Sequence, residues 1–84
     1  MTKALKQCQC CDHLTLPNRG EYDICPVCFW EDDGTDQLDV RSDTNHMTLR
    51  QGRENFSRIG AYDEAMLPHV LPKGERKRFV HVPR

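Results

Sequence analysis

Apolar and polar residues alternate over 13–16 (His13-Leu14-Thr15-Leu16) and again over 21–24 (Glu21-Tyr22-Asp23-Ile24). That is the two-residue period of half-buried strands. Between them lies Pro17-Asn18-Arg19-Gly20. This is strong turn chemistry, because proline presets its own φ and glycine is free to take a positive one. The pattern predicts a hairpin that carries Cys25 back beside Cys11. Residues 31–46 are polar and acidic, interrupted by Gly34 and Asn45, and read as loop.

The period then changes. Thr48 is placed as a helix N-cap with Gln51 three residues on, a capping-box spacing. Leu49, Gly52, Phe56 and Ile59 recur at offsets of three or four, so one helical face points inward. Gly60 suits the left-handed residue that ends a helix. Gly52 weakens the helix, and its use there predicts a close approach to the cysteine-bearing half. Pro68 and Pro72 exclude a long helix between them. Phe79-Val80-His81-Val82 reads as a terminal strand that closes over the helix or pairs with a hairpin edge. The chain is thus one domain over 1–84: a cysteine hairpin at 8–30, an acidic loop at 31–47, a helix at 48–60 and an extended C-terminal segment at 61–84.

Composition shows why such a chain needs a staple. It has 84 residues, of which 37% are hydrophobic, and its mean hydropathy is −0.77. A domain this small buries too little apolar surface to be stable by packing alone. Five cysteines are present. Met1-Thr2-Lys3-Ala4-Leu5-Lys6-Gln7 has no apolar run behind its lysines, unlike a secretory signal. No stretch is long and apolar enough to span a bilayer. A cytoplasmic location is therefore expected, where cysteine clusters are metal sites rather than disulfides.

Cys8-Gln9-Cys10-Cys11 and Cys25-Pro26-Val27-Cys28 are two CxxC units separated by thirteen residues. Each CxxC chelates through one tight turn, and two such turns make a closed tetrahedral Zn2+ site. Cys8, Cys11, Cys25 and Cys28 are the expected ligands. Cys10 is the spare, a small buried thiol that by spacing could replace Cys8 or Cys11. His13 is expected on the hairpin surface, a ligand only if a cysteine is excluded. Four protein ligands leave no position for water or substrate, so the zinc is structural. A redox dithiol needs its first cysteine at a helix N-terminus, whereas Phe29 and Trp30 lead into an acidic loop.

These residues, followed by Thr15-Leu16, Gly20-Glu21-Tyr22, Ile24 through Asp33, Leu49, Arg53-Glu54-Asn55 and Gly60, resemble the bacterial cysteine-rich CPCC family over residues 8–60. The resemblance implies a zinc-ribbon-like module with no established reaction. Gln9 stands where the family's name implies proline. Asp12 stands where a zinc knuckle usually has glycine, and aspartate tolerates the left-handed conformation better than most residues.

Charge is segregated. Residues 20–43 hold eight acids against Arg41, and residues 73–84 hold five bases against Glu75. Glu31, Asp32, Asp33, Asp36 and Asp39 lack the spacing of a calcium loop and are expected as a solvated loop. With Trp30 they are the candidate contact surface for a basic protein; the alternative for Trp30 is packing over the metal site. No catalytic triad or phosphate loop can be assembled. The expected fold is small α+β and metal-stabilised: a zinc-ribbon-like β-hairpin with two CxxC knuckles, one helix and an extended C-terminal segment. The expected function is a non-enzymatic protein-interaction module, in its sharpest form an immunity protein or antitoxin against a basic nuclease-type toxin. The alternative is a nucleic-acid-binding zinc ribbon using Arg50, Arg53, Arg58, Arg76, Lys77 and Arg78, which the acidic middle opposes.

Overall fold

Each CxxC turn folds its own flanks. The computed structural model describes residues 4–83, so Arg84 of the basic tail lies outside the described residues. Strand β1 (Lys6–Gln7) pairs antiparallel with β2 (Leu14–Leu16), Lys6 opposite Leu16 and Gln7 opposite Leu14. Inside this hairpin the Cys8 N–H donates to the His13 carbonyl at 2.9 Å, and the Asp12 N–H to the Cys8 carbonyl at 2.9 Å. The second CxxC repeats the arrangement. The Cys25 N–H donates to the Trp30 carbonyl at 3.0 Å and the Phe29 N–H to the Cys25 carbonyl at 2.8 Å. Ile24 bridges Glu31 on its flanks.

The hairpin expected between 13–16 and 21–24 is therefore not formed. The fold class stands, but β2 turns back to β1, and residues 22–24 pair with 31–32. The physical reason is that each CxxC turn satisfies its own backbone: the N–H of its first cysteine and the N–H of its fifth residue both find acceptors inside the knuckle, so each turn pairs its own flanks. The Pro17–Gly20 turn only connects the two knuckles.

Residues 31–46 are more ordered than a solvated loop. Strand β3 (Arg41–Ser42) pairs with β4 (Met47–Thr48). Asn45, 1% exposed, accepts from the Glu31 N–H at 3.0 Å and donates to the Glu31 carbonyl at 2.9 Å. One amide side chain thus ties this small hairpin to the second knuckle.

Helix α1 spans Leu49–Ile59. Thr48 and Gln51 form the full capping box, and Gly60 closes the helix at φ 88°. Leu49 and Gly52 are buried, whereas Phe56 and Ile59 on the same face are half-buried. A Cβ on Gly52 would lie 2.7 Å from Cζ3 of Trp30 and 3.5 Å from Sγ of Cys10. The helix backbone thus rests directly on the indole, which is wholly enclosed and meets Tyr62 edge-on at 5.4 Å.

The C-terminal segment is not simply extended. It contains two 3-10 helices, Glu64–His69 and Lys73–Arg78, short turns that Pro68 and Pro72 permit. It is stitched back to the cysteine half by Tyr62 N–H to Cys28 carbonyl at 3.0 Å and Leu71 N–H to Pro26 carbonyl at 3.1 Å. Residues 80–82 then lie on the free edge of β2, His81 opposite His13, with Leu14 N–H donating to the Val80 carbonyl at 2.8 Å. Among the described residues no helix is long and apolar enough to cross a membrane.

Gly52→Ala separates propensity from packing. On an open helix face alanine gains about 1 kcal/mol over glycine. Here the added methyl meets a fixed indole, and overpacking of that kind costs about 1–3 kcal/mol. Urea unfolding should show net destabilisation.

Candidate metal centre

The two knuckles point their sulfurs at one volume. The Sγ atoms of Cys8, Cys11, Cys25 and Cys28 all lie within 4.8 Å of one another. Cys8 and Cys28 are 3.6 Å apart, as are Cys11 and Cys25. A tetrahedron with metal–sulfur bonds of 2.3 Å has edges of about 3.8 Å, so the sulfurs stand almost where a metal would hold them. Cys8, Cys25 and Cys28 are fully buried and Cys11 is 3% exposed. This donor set fits a metal ion: soft, closed on itself and shut off from water.

The surroundings favour thiolate at Cys25 and oppose it at Cys11 and Cys28. The Thr15 hydroxyl donates to Cys25 Sγ at 3.0 Å, and the Trp30 backbone N–H to Cys28 Sγ at 3.4 Å. Hydrogen bonds from Cys11, Cys28, Cys8 and Thr15 push the Cys25 thiol down despite its burial. Burial, together with the neighbouring sulfurs, pushes Cys28 up. Four thiols this close cannot all ionise unaided, and a metal cation would resolve the conflict by taking the protons' place.

Each knuckle ends in a left-handed residue, Asp12 at φ 67° and Phe29 at φ 71°. Both conformations are held from outside. Arg53 of α1 grips the Asp12 carboxylate with two bonds, 2.7 and 2.9 Å. The phenyl ring of Phe29 stacks on His69 of the first 3-10 helix, centroids 5.2 Å apart. The Asp12 carboxylate in turn raises the pKa of Arg53 through those hydrogen bonds. Arg53 therefore works on the knuckle, not on the open surface that a nucleic-acid contact requires. Arg50 is likewise engaged, with Asp39 at 2.8 Å.

Asp32, like His13, lies where its sequence context did not place it. Expected on a solvated loop, it is completely buried. One carboxylate oxygen accepts from Gln9 Nε2 and the Gly34 N–H, both at 3.0 Å. The other accepts from Arg19 Nε at 3.1 Å and the Gly20 N–H at 2.7 Å. Burial pushes this carboxyl up, but the bonds from Gly20, Gln9 and Gly34 and the Arg19 charge together hold it below its ordinary range. It joins the first knuckle, the connecting turn and the second knuckle. The local signal was Asp32-x-Gly34, the spacing at which aspartate bonds the backbone two residues on.

The remaining expected contact residues divide. Trp30 is fully buried, its ring against Gly52 and Tyr62 in the core cluster that includes the four cysteines, so it is not exposed to a partner. Asp33 accepts from the Thr35 N–H at 3.0 Å and the Ser42 hydroxyl at 2.6 Å, and Glu31 accepts from Thr44. Asp36 and Asp39 stay exposed, paired with Arg19 and Arg50. Cys10 is 2% exposed and stands outside the four-sulfur group. His13, expected on the surface, is buried at 9%, its Nδ1 3.1 Å from the Cys11 carbonyl.

Two hairpin knuckles, one helix and a four-cysteine cluster define a small α+β module that could hold a metal ion. The chain belongs to the cysteine-rich CPCC family, whose model matches residues 6–77. No curated protein and no solved structure matches it.

Asp32→Asn should destabilise the protein by about 3 kcal/mol, the lower range for breaking a buried charge pair. A depressed carboxyl contributes fully above its unfolded value of about 3.9 and loses its contribution as pH falls through the folded value. Denaturant unfolding at neutral pH therefore reads the whole effect. A change below about 0.5 kcal/mol, the level of an ordinary surface substitution, would contradict the tie.

Proposed function

We propose that this chain is a non-enzymatic protein-interaction module of the cytoplasm, locked by one structural Zn2+ on Cys8, Cys11, Cys25 and Cys28. The observation that carries the reading is closure: four sulfurs within 4.8 Å, none more than 3% exposed. Thiolates select soft and borderline ions, zinc foremost among divalent ones in tetrahedral sulfur sites. Four protein ligands leave no coordination position for chemistry. Bound zinc supplies folding free energy on the order of 10 kcal/mol.

The partner surface is the outer part of 31–43. Asp36 and Asp39 have side chains 59% and 77% exposed, and Leu38 and Val40 are exposed between and beside them at 38% and 46%. Apolar contacts among acids suit a basic protein, and an immunity protein or antitoxin covering a nuclease-type toxin is the sharpest form of this reading. Arg19 and Arg50 already neutralise those acids in part. A partner's cations would therefore exchange existing ion pairs, and affinity would rest more on Leu38 and Val40 than on charge.

Two outcomes check the proposal. Purified protein should carry one zinc per chain, and chelation should abolish its cooperative melt. Serine at Cys8, Cys11, Cys25 or Cys28 should lose the metal, whereas Cys10→Ser should keep it. Cooperative melting that survives complete chelation would refute the structural role. Separately, Asp36→Asn with Asp39→Asn should slow association with a basic partner and reduce its salt dependence, leaving the melt within about 0.5 kcal/mol of native. Unchanged association kinetics would move the interface elsewhere.

A further inference from the structure

The C-terminal end of α1 borders a cleft that the metal centre does not use. Its volume is about 210 Å³, and it is lined by Arg58, Lys73 and Arg76 together with Ser57, Phe56 and Gly60. No acidic side chain lines it among the described residues. A helix C-terminus carries only about half a negative charge, so one cation satisfies it. Arg76 is that cation: its Nη2 donates to the Gly60 carbonyl at 3.1 Å. The same guanidinium lies over the Phe56 ring, 4.9 Å from its centroid, and is fixed from two sides.

Held in this way, Arg76 keeps its Nε–H buried and without an acceptor among the described residues. That atom is closed to solvent, so the guanidinium meets a ligand in the cleft only through its terminal nitrogens. Arg58 and Lys73, both exposed, are charges beyond what the helix end requires. The cleft is smaller than the roughly 300 Å³ at which pockets begin to enclose drug-sized molecules. Its size and its charge both favour a small oxyanion.

We propose that this cleft binds a phosphate group, held by the Arg76 guanidinium and the charges of Arg58 and Lys73, with the Ser57 hydroxyl as a neutral donor. The guanidinium fork matches the spacing of phosphate oxygens, and an ammonium adds a flexible point charge. Inorganic phosphate and the phosphodiester of a nucleic-acid strand share this chemistry. Neither the partner surface at 31–43 nor the identity of the metal enters the proposal.

The test is a chemical-shift titration of the full, metal-loaded chain at constant ionic strength, with sodium phosphate replacing sodium chloride. Saturable shifts are expected at the Ser57 and Gly60 amides. Lys73→Gln and Arg58→Gln, both exposed, should each weaken binding about threefold with an unchanged melt. A second arm uses a short single-stranded oligodeoxynucleotide. Tighter binding at the same resonances, falling steeply with salt, assigns the site to phosphodiester. Binding of phosphate without the oligonucleotide assigns it to the small ion. The proposal is overturned by the absence of saturable shifts with both probes. It is equally overturned by binding that survives Lys73→Gln and Arg58→Gln combined.

Discussion

Four sulfur atoms within 4.8 Å of one another, sealed from water, are the constraint on which the rest of the structure depends. Thiolates brought this close repel one another, and the thin apolar core of an 84-residue chain cannot hold them together unaided. A cation at their centre would turn that repulsion into a staple. Both knuckles, the helix and the C-terminal segment pack around that point. Cys8, Leu16, Cys25, Val27, Cys28, Trp30 and Leu49 are all fully enclosed there.

The knuckles are near copies with different supports. Each uses the same pair of backbone hydrogen bonds and a left-handed fifth residue. Where glycine would adopt that conformation freely, Asp12 is held by a salt bridge from α1 and Phe29 by stacking on His69. Helix and tail therefore do more than cover the metal centre: they stabilise the backbone that presents its ligands. Asp32 completes the frame from within, binding both knuckles and the turn between them through one saturated carboxylate.

Much of this was legible in the sequence, for reasons that can be named. Thr48, Gln51 and Gly60 carry backbone chemistry that acts within a few residues, so the helix ends could be read directly. Gly52 signalled close packing, and Trp30 proved to be what lies against it. CxxC spacing grouped the same four sulfurs that the fold brings together, because the reach of one turn is local. Strand pairing was misread because a two-residue period gives a strand's faces and not its partner. The acidic run was misread for a related reason. Asp32 and Asp33 look alike in a charge count, and only the chain's path puts Gln9, Arg19 and Gly20 around one of them. The two 3-10 helices are too short for any period to announce them.

The surface divides by the same logic. Charges near the knuckles are consumed in holding them, as with Asp12, Arg53, Arg19 and Asp32. Farther out, Asp36 and Asp39 are exposed but paired with Arg19 and Arg50, and Arg58 and Lys73 lie exposed at the end of α1. The central claim, that the fold is built on a closed four-sulfur site, is tested most directly by X-ray absorption at the zinc edge of the purified protein. The account predicts a single shell of four sulfurs at about 2.3 Å. A nitrogen or oxygen scatterer in that shell, or fewer than four sulfurs, would contradict it.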